Sequence, residues 1–303
     1  MVPRPHQSKT IDFAIDRLKG ESARCLAQLP TGSGKTLVKA HVALYWHNLG
    51  RRVVVLTPSS ATVGKLYFEF KRVGLRPDVS LADEKADPRS EVVISTYASA
   101  WQDRRSKYYE PTSLLILDEC HHCNDRAESN LSIYRQYQFV FGVSASPWSR
   151  ACLSLFENHF VYSLREAIKA GVNCDFELLP DKAIGSDPYQ LVFCPSSATT
   201  RELGRQYGDS DWVLYDADDR NGRVIRFKTG KVRTMFANQM LTEGFDLPAI
   251  KNVWIQRGTK SPILAYQMLG RSLRPYEGQN AKCYIRHSET RKAIGEALEL
   301  AGY

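Results

Sequence analysis

Residues 29–36 read LPTGSGKT, a glycine-rich stretch that decides how the N-terminal part of this chain folds. The apolar run ARCLAQL leads into it, and the amphipathic segment KTLVKAHVALYWHNL follows it up to Gly50. A strand, a glycine-rich turn and a helix in this order bring backbone N–H groups and a helix N-terminus around a phosphate group. The residues predicted to surround the phosphates are Thr31, Gly32, Ser33, Gly34, Lys35 and Thr36.

Two side chains of this stretch have chemical roles in a phosphate-binding loop. Lys35 is predicted to reach the terminal phosphates of a nucleotide, and the Thr36 hydroxyl is predicted to bind Mg²⁺. The general pattern also has a glycine before this core, at the position where this chain has Leu29. The match is therefore to the shorter core G-x-G-K-T, and a flexible Gly-Ser turn before an amphipathic helix is the alternative interpretation.

Apolar runs alternate with helical segments on both sides of residue 150, which is typical of buried parallel strands in an α/β fold. The runs are ARCLAQL, RRVVVLTP, EVVISTY, SLLILDE and FVFGVSAS in the first series, and QLVFCPS, DWVLYDA, VRTMFANQ, KNVWIQR and AKCYIRH in the second. We predict two α/β domains, at 1–150 and 186–303, joined by a connector at 151–185. The segment 74–90 is rich in proline and charge and is predicted to be a surface loop.

The run SLLILDE delivers two carboxylates directly after its last apolar residue. Asp118 is predicted to hold Mg²⁺ at the outer phosphates, and Glu119 to orient or deprotonate the attacking water. The alternative interpretation is that both residues are solvated carboxylates of a surface loop. The next residues, Cys120-His121-His122-Cys123, have zinc-ligand types, but a matching second pair is missing downstream, so they form at most half of a zinc site.

The composition of the 303 residues places limits on the function. Hydrophobic residues make up 43% and charged residues 24%, which excludes a disordered or fibrous chain. The net charge of +8 favours a polyanionic partner such as nucleic acid. Seven cysteines without a framework of spacings, and no apolar stretch of ~18 residues, indicate an intracellular protein, cytoplasmic or nucleoid-associated. Its compactness suits a virus or mobile element.

The stretch YQMLGRSLRP carries a glutamine and two arginines. On a helix, Gln267, Arg271 and Arg274 would share one face because their spacings are four and three. The alternative is a solvated basic face. The functional interpretation is that both arginines contact phosphate oxygens, and an arginine supplied in this way accelerates phosphoryl transfer by about 10³- to 10⁵-fold.

The ordered set LPTGSGKT, VVLTPSS, ISTY, LDECH, GVSASP, LVFCPS, FANQMLTEGFDLP and YQMLGRSLRP resembles the motifs of superfamily 2 helicases and translocases. The resemblance covers nearly the whole chain, from RPHQ near the start to Arg274. It implies two tandem RecA-like domains, each a mainly parallel sheet flanked by helices, with ATP in the interdomain cleft. It also implies that Lys35, Asp118, Glu119, Gln267, Arg271 and Arg274 are catalytic.

Further roles follow from the resemblance alone. Arg4 and Gln7 look like an adenine-reading segment, and Gly244 and Asp246 look like a segment beside the ribose and γ-phosphate. Ser144 and Ser146 resemble the motif that couples hydrolysis to domain movement. The residues similar to those that line the nucleic-acid path in the family are Thr57, Pro58, Thr96, Tyr97, Phe193, Pro195 and Ser196.

Departures from other groups narrow the resemblance to a DExH-type chain of the XPB, RadD and type I restriction translocase branch. The chain lacks the P-T-R-E-L-A segment of DEAD-box RNA helicases, has Gln267 where that group has histidine, and has Cys120 where it has alanine. The expected activity is ATP- and Mg²⁺-dependent movement on nucleic acid, with DNA favoured over RNA. A DExH RNA helicase and a nucleotide-gated clamp that does not travel are the alternatives.

Overall fold

The computed structural model describes residues 2–20, 23–102, 113–123, 133–214, 216, 218–238, 240–242, 245 and 247–303. The chain divides into two compact units, Met1–Ser163 and Leu164–Tyr303. We call them the first and second unit. Each unit contains one parallel sheet flanked by helices.

The first unit is built on a sheet of seven strands in the order β3-β4-β2-β5-β6-β1-β7, and every neighbouring pair is parallel. Its strands are β1 Ala23–Gln28, β2 Val53–Thr57, β3 Asp78–Ser80, β4 Val92–Thr96, β5 Leu114–Asp118, β6 Phe139–Ser144 and β7 Asn158–Val161. Its labelled α-helices are α1 Pro5–Arg17, α2 Lys35–Asn48, α3 Ser60–Arg72, α4 Tyr97–Gln102 and α5 Arg150–Leu153, and a 3-10 turn spans Cys120–His122.

The second unit repeats this architecture with a sheet of six parallel strands in the order β10-β11-β9-β12-β13-β8. Its strands are β8 Phe176–Pro180, β9 Gln190–Phe193, β10 Ser210–Val213, β11 Thr234–Ala237, β12 Asn252–Ile255 and β13 Ala281–Ile285. Its helices are α6 Leu164–Lys169, α7 Ser197–Gln206, α8 Arg220–Lys228, α9 Pro262–Leu269 and α10 Ser288–Leu300.

The central strands are the runs that the sequence predicts, and their burial explains the pattern. Every residue of β2, β4, β5 and β6 is buried, because both faces of the sheet are covered. Burial on both faces requires continuous apolar runs in place of alternation. The prediction of a mainly parallel α/β fold in two tandem units is confirmed.

Three strands were not predicted from the sequence, and each of them lies at the edge of its sheet. β3 falls inside the stretch 74–90, which was predicted to be a loop, and β7 and β8 fall inside the predicted connector. β7 alternates between partly buried and exposed residues, and β8 is only partly buried. An edge strand needs fewer apolar residues than a central one, so it leaves a weaker signal in the sequence.

The connector predicted at 151–185 is divided between the two units. Residues 151–163 contribute β7 to the first unit, whereas residues 164–185 contribute α6 and β8 to the second. The predicted domain bounds remain predictions.

Among the described residues, no helix is both long and apolar enough to cross a membrane.

Candidate nucleotide-binding site

The glycine-rich loop links β1 to α2, as the sequence predicts, and its own hydrogen bonds hold it in shape. Gly32 and Gly34 have φ angles of 83° and 80°, in the left-handed region that favours glycine. The Ser33 hydroxyl donates to the Pro30 carbonyl at 2.8 Å. α2 then begins at Lys35, so the positive end of the helix dipole lies at the loop.

Helix α1 holds this loop from the other side. The amide of Gln7 donates to the Ser33 carbonyl at 2.9 Å, and His6 Nε2 donates to the same oxygen at 2.8 Å. A Cβ atom at Gly34 would lie 2.1 Å from Gln7 Nε2, and the left-handed backbone there is strained for any residue with a side chain, so the position favours glycine. The Arg4 backbone N–H donates to Gln7 Oε1 at 2.8 Å. The structure therefore brings Gln7 to the glycine-rich loop.

His6 also contacts the loop, although Arg4 and Gln7 were the residues of the RPHQ motif predicted to belong to the site. Its ring is buried and stacks on Tyr162 with centroids 4.7 Å apart and planes inclined by 5°. Tyr162 in turn donates its backbone N–H to the Gln28 carbonyl at the end of β1. The stack and the bond to Ser33 fix the position of α1 against the loop.

Asp118 lies at the carboxyl end of β5 with its carboxylate buried. Lys39 Nζ contacts Oδ1, and the Thr57 hydroxyl donates to Oδ2 at 3.0 Å. The hydroxyl of Tyr97 donates to the Asp118 backbone carbonyl at 3.0 Å. Lys39 was not predicted as a site residue. Asp118 is thus held on three sides by β2, α2 and α4.

Glu119 follows with a left-handed backbone, φ 49°, a conformation that costs a non-glycine residue roughly 1–3 kcal/mol and is concentrated at functional sites. Its Oε1 lies 3.7 Å from Lys35 Nζ. Its Oε2 accepts from the Ser144 hydroxyl at 3.2 Å and lies 3.5 Å from His121 Nδ1. The structure therefore brings the predicted lysine, glutamate and coupling serine into one cluster.

Ser144 is also linked to the second predicted coupling serine. The Ser146 backbone N–H donates to Ser144 Oγ at 3.0 Å, and His121 Nδ1 lies 2.8 Å from the same oxygen. A shift of the SASP segment would therefore disturb the contact of Ser144 with Glu119. This arrangement suits a residue that couples hydrolysis to movement, and that role remains a prediction.

The cysteines beside this cluster lie in the apolar core of the first unit. Cys120 and Cys123 are buried in an apolar cluster with Cys152, whose Sγ lies 4.0 Å from that of Cys120. Burial raises the pKa of the Cys120 thiol and raises that of Cys123 to about 12. No group of three or more potential ligands is placed to hold a metal ion in the described part of the chain. Burial of the three thiols among apolar side chains is typical of cysteines that pack in a protein core.

In the second unit, α9 ends at Leu269, so the arginines lie beyond it and not on one helical face with Gln267. Gly270 has a poor helix propensity, and the Ser272 hydroxyl donates to the Leu269 carbonyl at 2.9 Å, which stabilises the helix end. Arg271 donates to the Gln267 and Phe245 carbonyls. Gly244 and Asp246 lie outside the described residues.

Donors from distant segments fix the backbone that carries Arg274. The Cys174 N–H donates to the Leu273 carbonyl at 2.8 Å, and Asn173 Nδ2 donates to the same oxygen at 3.1 Å. Lys251 Nζ, which is buried, donates to the Arg274 carbonyl. Burial lowers the pKa of the Arg274 guanidinium below its usual value. The arginine therefore sits on a restrained backbone.

The predicted nucleic-acid path residues fall into two groups. Thr57, Thr96, Tyr97 and Phe193 are buried. Pro58 is partly exposed, whereas Pro195 and Ser196 are exposed. Only the second group is placed at the surface, where it could touch a strand directly. The first group supports strand ends and the Asp118 site from within.

The exposed group belongs to a repeat that the sequence analysis missed. The pentapeptide PSSAT occurs at 58–62 after β2 and again at 195–199 after β9. In both copies the first serine precedes a helix and its hydroxyl contacts the threonine hydroxyl, at 3.0 Å in the first unit and 2.9 Å in the second. Both units thus present the same exposed helix start, and the identical letters were the available signal.

Two parallel α/β units, with a glycine-rich loop beside an Asp-Glu pair in the first, define a tandem RecA-like protein. Residues 1–149 match the family described as "Type III restriction enzyme, res subunit", and residues 184–276 match "Helicase conserved C-terminal domain". The chain belongs to superfamily 2 of helicases and translocases. The matching helicase domains imply that it uses a nucleotide.

Two curated relatives agree with this family. The yeast Saccharomyces cerevisiae protein IRC3, which is named as an ATP-dependent helicase, is 23% identical over 360 residues, covering 94% of this chain and 51% of the relative. A 51.5 kDa protein of Lactococcus phage (isolate 7-9) is 22% identical over 298 residues, covering 82% of this chain and 62% of the relative. The chain thus spans between half and two thirds of the length of these relatives.

Solved structures share the fold over nearly the whole chain. The type ISP restriction-modification enzyme LlaBIII bound to DNA superposes with a TM-score of 0.80 at 14% identity, over 99% of this chain and 30% of the enzyme. Dbp5 of S. cerevisiae bound to RNA and ADP BeF3 (its L327V variant) superposes with a TM-score of 0.71 at 16% identity, over 97% of this chain and 87% of that chain. At these identities the likeness concerns the fold alone.

Proposed function

We propose that this chain is an ATP-dependent helicase or translocase that moves along nucleic acid, with DNA as its track. The observation that carries the proposal is the cluster in the first unit. There the structured phosphate loop, Lys35, Glu119 and Ser144 lie together at the carboxyl ends of parallel strands. Ligands bind at this edge of open α/β sheets.

Each residue has a chemical task in this proposal. Lys35 binds the terminal phosphates, and Glu119 orients or deprotonates the attacking water. Ser144, the first residue of the SASP segment, contacts Glu119 and transmits the loss of the γ-phosphate to the rest of that segment. Arg271 and Arg274 stabilise the charge that develops on the transferred phosphoryl group, and Arg4 and Gln7 read the adenine.

The residues that would hold Mg²⁺ are Thr36 and Asp118, whose hydroxyl and carboxylate oxygens suit this cation. The described structure gives Asp118 a buried position at a strand end, although Lys39 and Thr57 already contact its two oxygens. A carboxylate oxygen has a second lone pair, so these contacts leave Asp118 able to ligate a cation that arrives with the nucleotide. When bound, the metal ion neutralises phosphate charge.

The two PSSAT copies support a nucleic-acid track. Each presents exposed serines at the start of a helix, where backbone N–H groups and the helix dipole attract phosphate oxygens. The net charge of +8 favours the same partner. DNA is the proposed track for two reasons. The motifs of this chain resemble those of DNA-directed members of the superfamily, and the structurally similar enzyme LlaBIII is bound to DNA. The phage relative supports a viral or mobile-element origin.

Steady-state ATP hydrolysis with different polymers tests this proposal. We expect single-stranded or duplex DNA to stimulate turnover by about tenfold or more, and RNA to stimulate it less. Since the contacts are to phosphates, the DNA affinity should fall by roughly 10- to 10³-fold between about 50 and 200 mM salt.

Reactions without polymer and with the inactive variant Glu119→Gln are the controls. Equal stimulation by RNA would contradict the DNA preference. Hydrolysis that no polymer changes would contradict a nucleic-acid motor.

A further inference from the structure

Lys39 is a buried lysine in the candidate site that none of the roles proposed above uses. It lies on α2 one helical turn after Lys35, and only 1% of its side chain is exposed. Its ammonium contacts Asp118 Oδ1, and the Asp118 side chain is itself only 5% exposed. An ammonium buried in this way needs an anionic partner, and Asp118 supplies it.

Packing alone does not favour the buried Lys39–Asp118 ion pair. Replacing a buried ion pair by apolar residues of similar volume is often neutral or stabilising. Val42 and Ala43, which lie on the same face of α2 three and four residues further on, are fully buried apolar residues, so an apolar side chain would suit this environment. Packing therefore does not explain a lysine at this position, whereas its charge opposite Asp118 does.

We propose that Lys39 is the counter-ion of Asp118 in the nucleotide-free protein and that it prevents a divalent cation from binding there alone. This inference rests on the proposed function, in which Asp118 is a metal ligand. The Lys39 ammonium neutralises the buried carboxylate, and Thr57 holds the second oxygen at 3.0 Å. A divalent cation that approaches Asp118 without phosphates meets a positive charge at the same carboxylate.

The nucleotide changes this balance. Its phosphates bring several negative charges to the loop, and these attract both Lys35 and the metal ion. The Lys39 ammonium is carried on a flexible four-carbon chain, so it can exchange the carboxylate for the negative charge of the phosphates without a movement of the helix. Metal ion and nucleotide therefore bind together, and the carboxylate is never left buried without a cation.

Manganese(II) binding to the full chain without nucleotide, measured by electron paramagnetic resonance, tests the inference. The wild type is expected to bind Mn²⁺ no better than Asp118→Asn, the baseline for other sites. Lys39→Met removes the charge at similar volume and is expected to bind one Mn²⁺ at least about tenfold more tightly than the wild type. Lys39→Arg keeps the charge and should behave as the wild type.

The double variant Lys39→Met/Asp118→Asn should lose the gained site. Equal Mn²⁺ affinity in the wild type and in folded Lys39→Met would overturn the inference. If Lys39→Met does not fold, Mn²⁺ binding to the wild type with and without ADP tests the inference. We expect ADP to tighten its Mn²⁺ binding by about tenfold or more, and equally tight binding without ADP would refute the proposed role.

The result separates this inference from the proposed function. An inactive wild type that shows the predicted Mn²⁺ pattern would reject the motor and retain the counter-ion. An active wild type with unchanged Mn²⁺ binding in Lys39→Met would do the reverse.

Discussion

Replacing Lys35 with alanine is expected to lower ATP turnover by about 10³-fold or more, equivalent to ~4 kcal/mol of barrier. Lys35 is the first residue of α2, and its ammonium lies 3.7 Å from the Glu119 carboxylate. In the proposed mechanism this ammonium moves to the terminal phosphates, where charge develops during transfer. Alanine removes the charge and leaves the glycines that shape the loop unchanged. Turnover is measured at saturating ATP and DNA.

The matched control is Lys19→Ala, which removes an exposed lysine from the same unit. This variant should keep wild-type turnover. If Lys35→Ala hydrolyses ATP at the wild-type rate while its circular dichroism is unchanged, the glycine-rich loop is not the catalytic phosphate site.

The second large effect is expected for Arg274→Ala, which should lower turnover by about 10³- to 10⁵-fold, or ~4–7 kcal/mol, with nucleotide affinity largely retained. An arginine that stabilises only the transition state affects the rate and not ground-state binding. The backbone around Arg274 is held by Cys174, Asn173 and Lys251, so truncation of the side chain should not move the segment. Turnover and the affinity for a fluorescent ATP analogue are measured together.

Arg286→Ala, which removes an exposed arginine of the same unit, serves as the comparison and should be fully active. Parallel loss of turnover and nucleotide affinity in Arg274→Ala would assign the residue to binding. Unchanged turnover would remove it from the catalytic set.

The sequence predicts the interior of both sheets well because burial on two faces leaves a direct trace. β5, with the letters LLILD, is buried at every position and could only be a central strand or a short buried helix. The edge strands β3, β7 and β8 lack this trace, since solvent tolerates polar residues along them. Their positions depend on neighbours far along the chain.

Within the site, local motifs were predictable and long-range partners were not. The glycine-rich loop and the Asp118-Glu119 pair are defined by adjacent letters. Lys39 reads as one polar residue of an amphipathic helix, and its burial depends on a carboxylate 79 residues away. The helix end at Leu269 also went unpredicted, because the spacing of Gln267 and the arginines fits a continuous helix equally well.

Burial also divides the residues that the family resemblance assigns to the nucleic-acid path. The resemblance assigns Thr57 to the nucleic-acid path, but its hydroxyl donates to the Asp118 carboxylate. Its neighbour Pro58 begins the exposed pentapeptide. Successive residues at a strand end face opposite directions, so a motif cannot say which of its letters reaches solvent.

The most direct test of the central claim is displacement of a third strand from a DNA triplex, because it reports movement along the duplex and not merely binding or hydrolysis. The wild type should release the third strand in an ATP-dependent reaction, whereas Glu119→Gln should bind the same DNA and release none. Release without ATP hydrolysis, or DNA-stimulated hydrolysis by the wild type without any release, would contradict a motor that travels on duplex DNA. The second of these outcomes would favour a nucleotide-gated clamp.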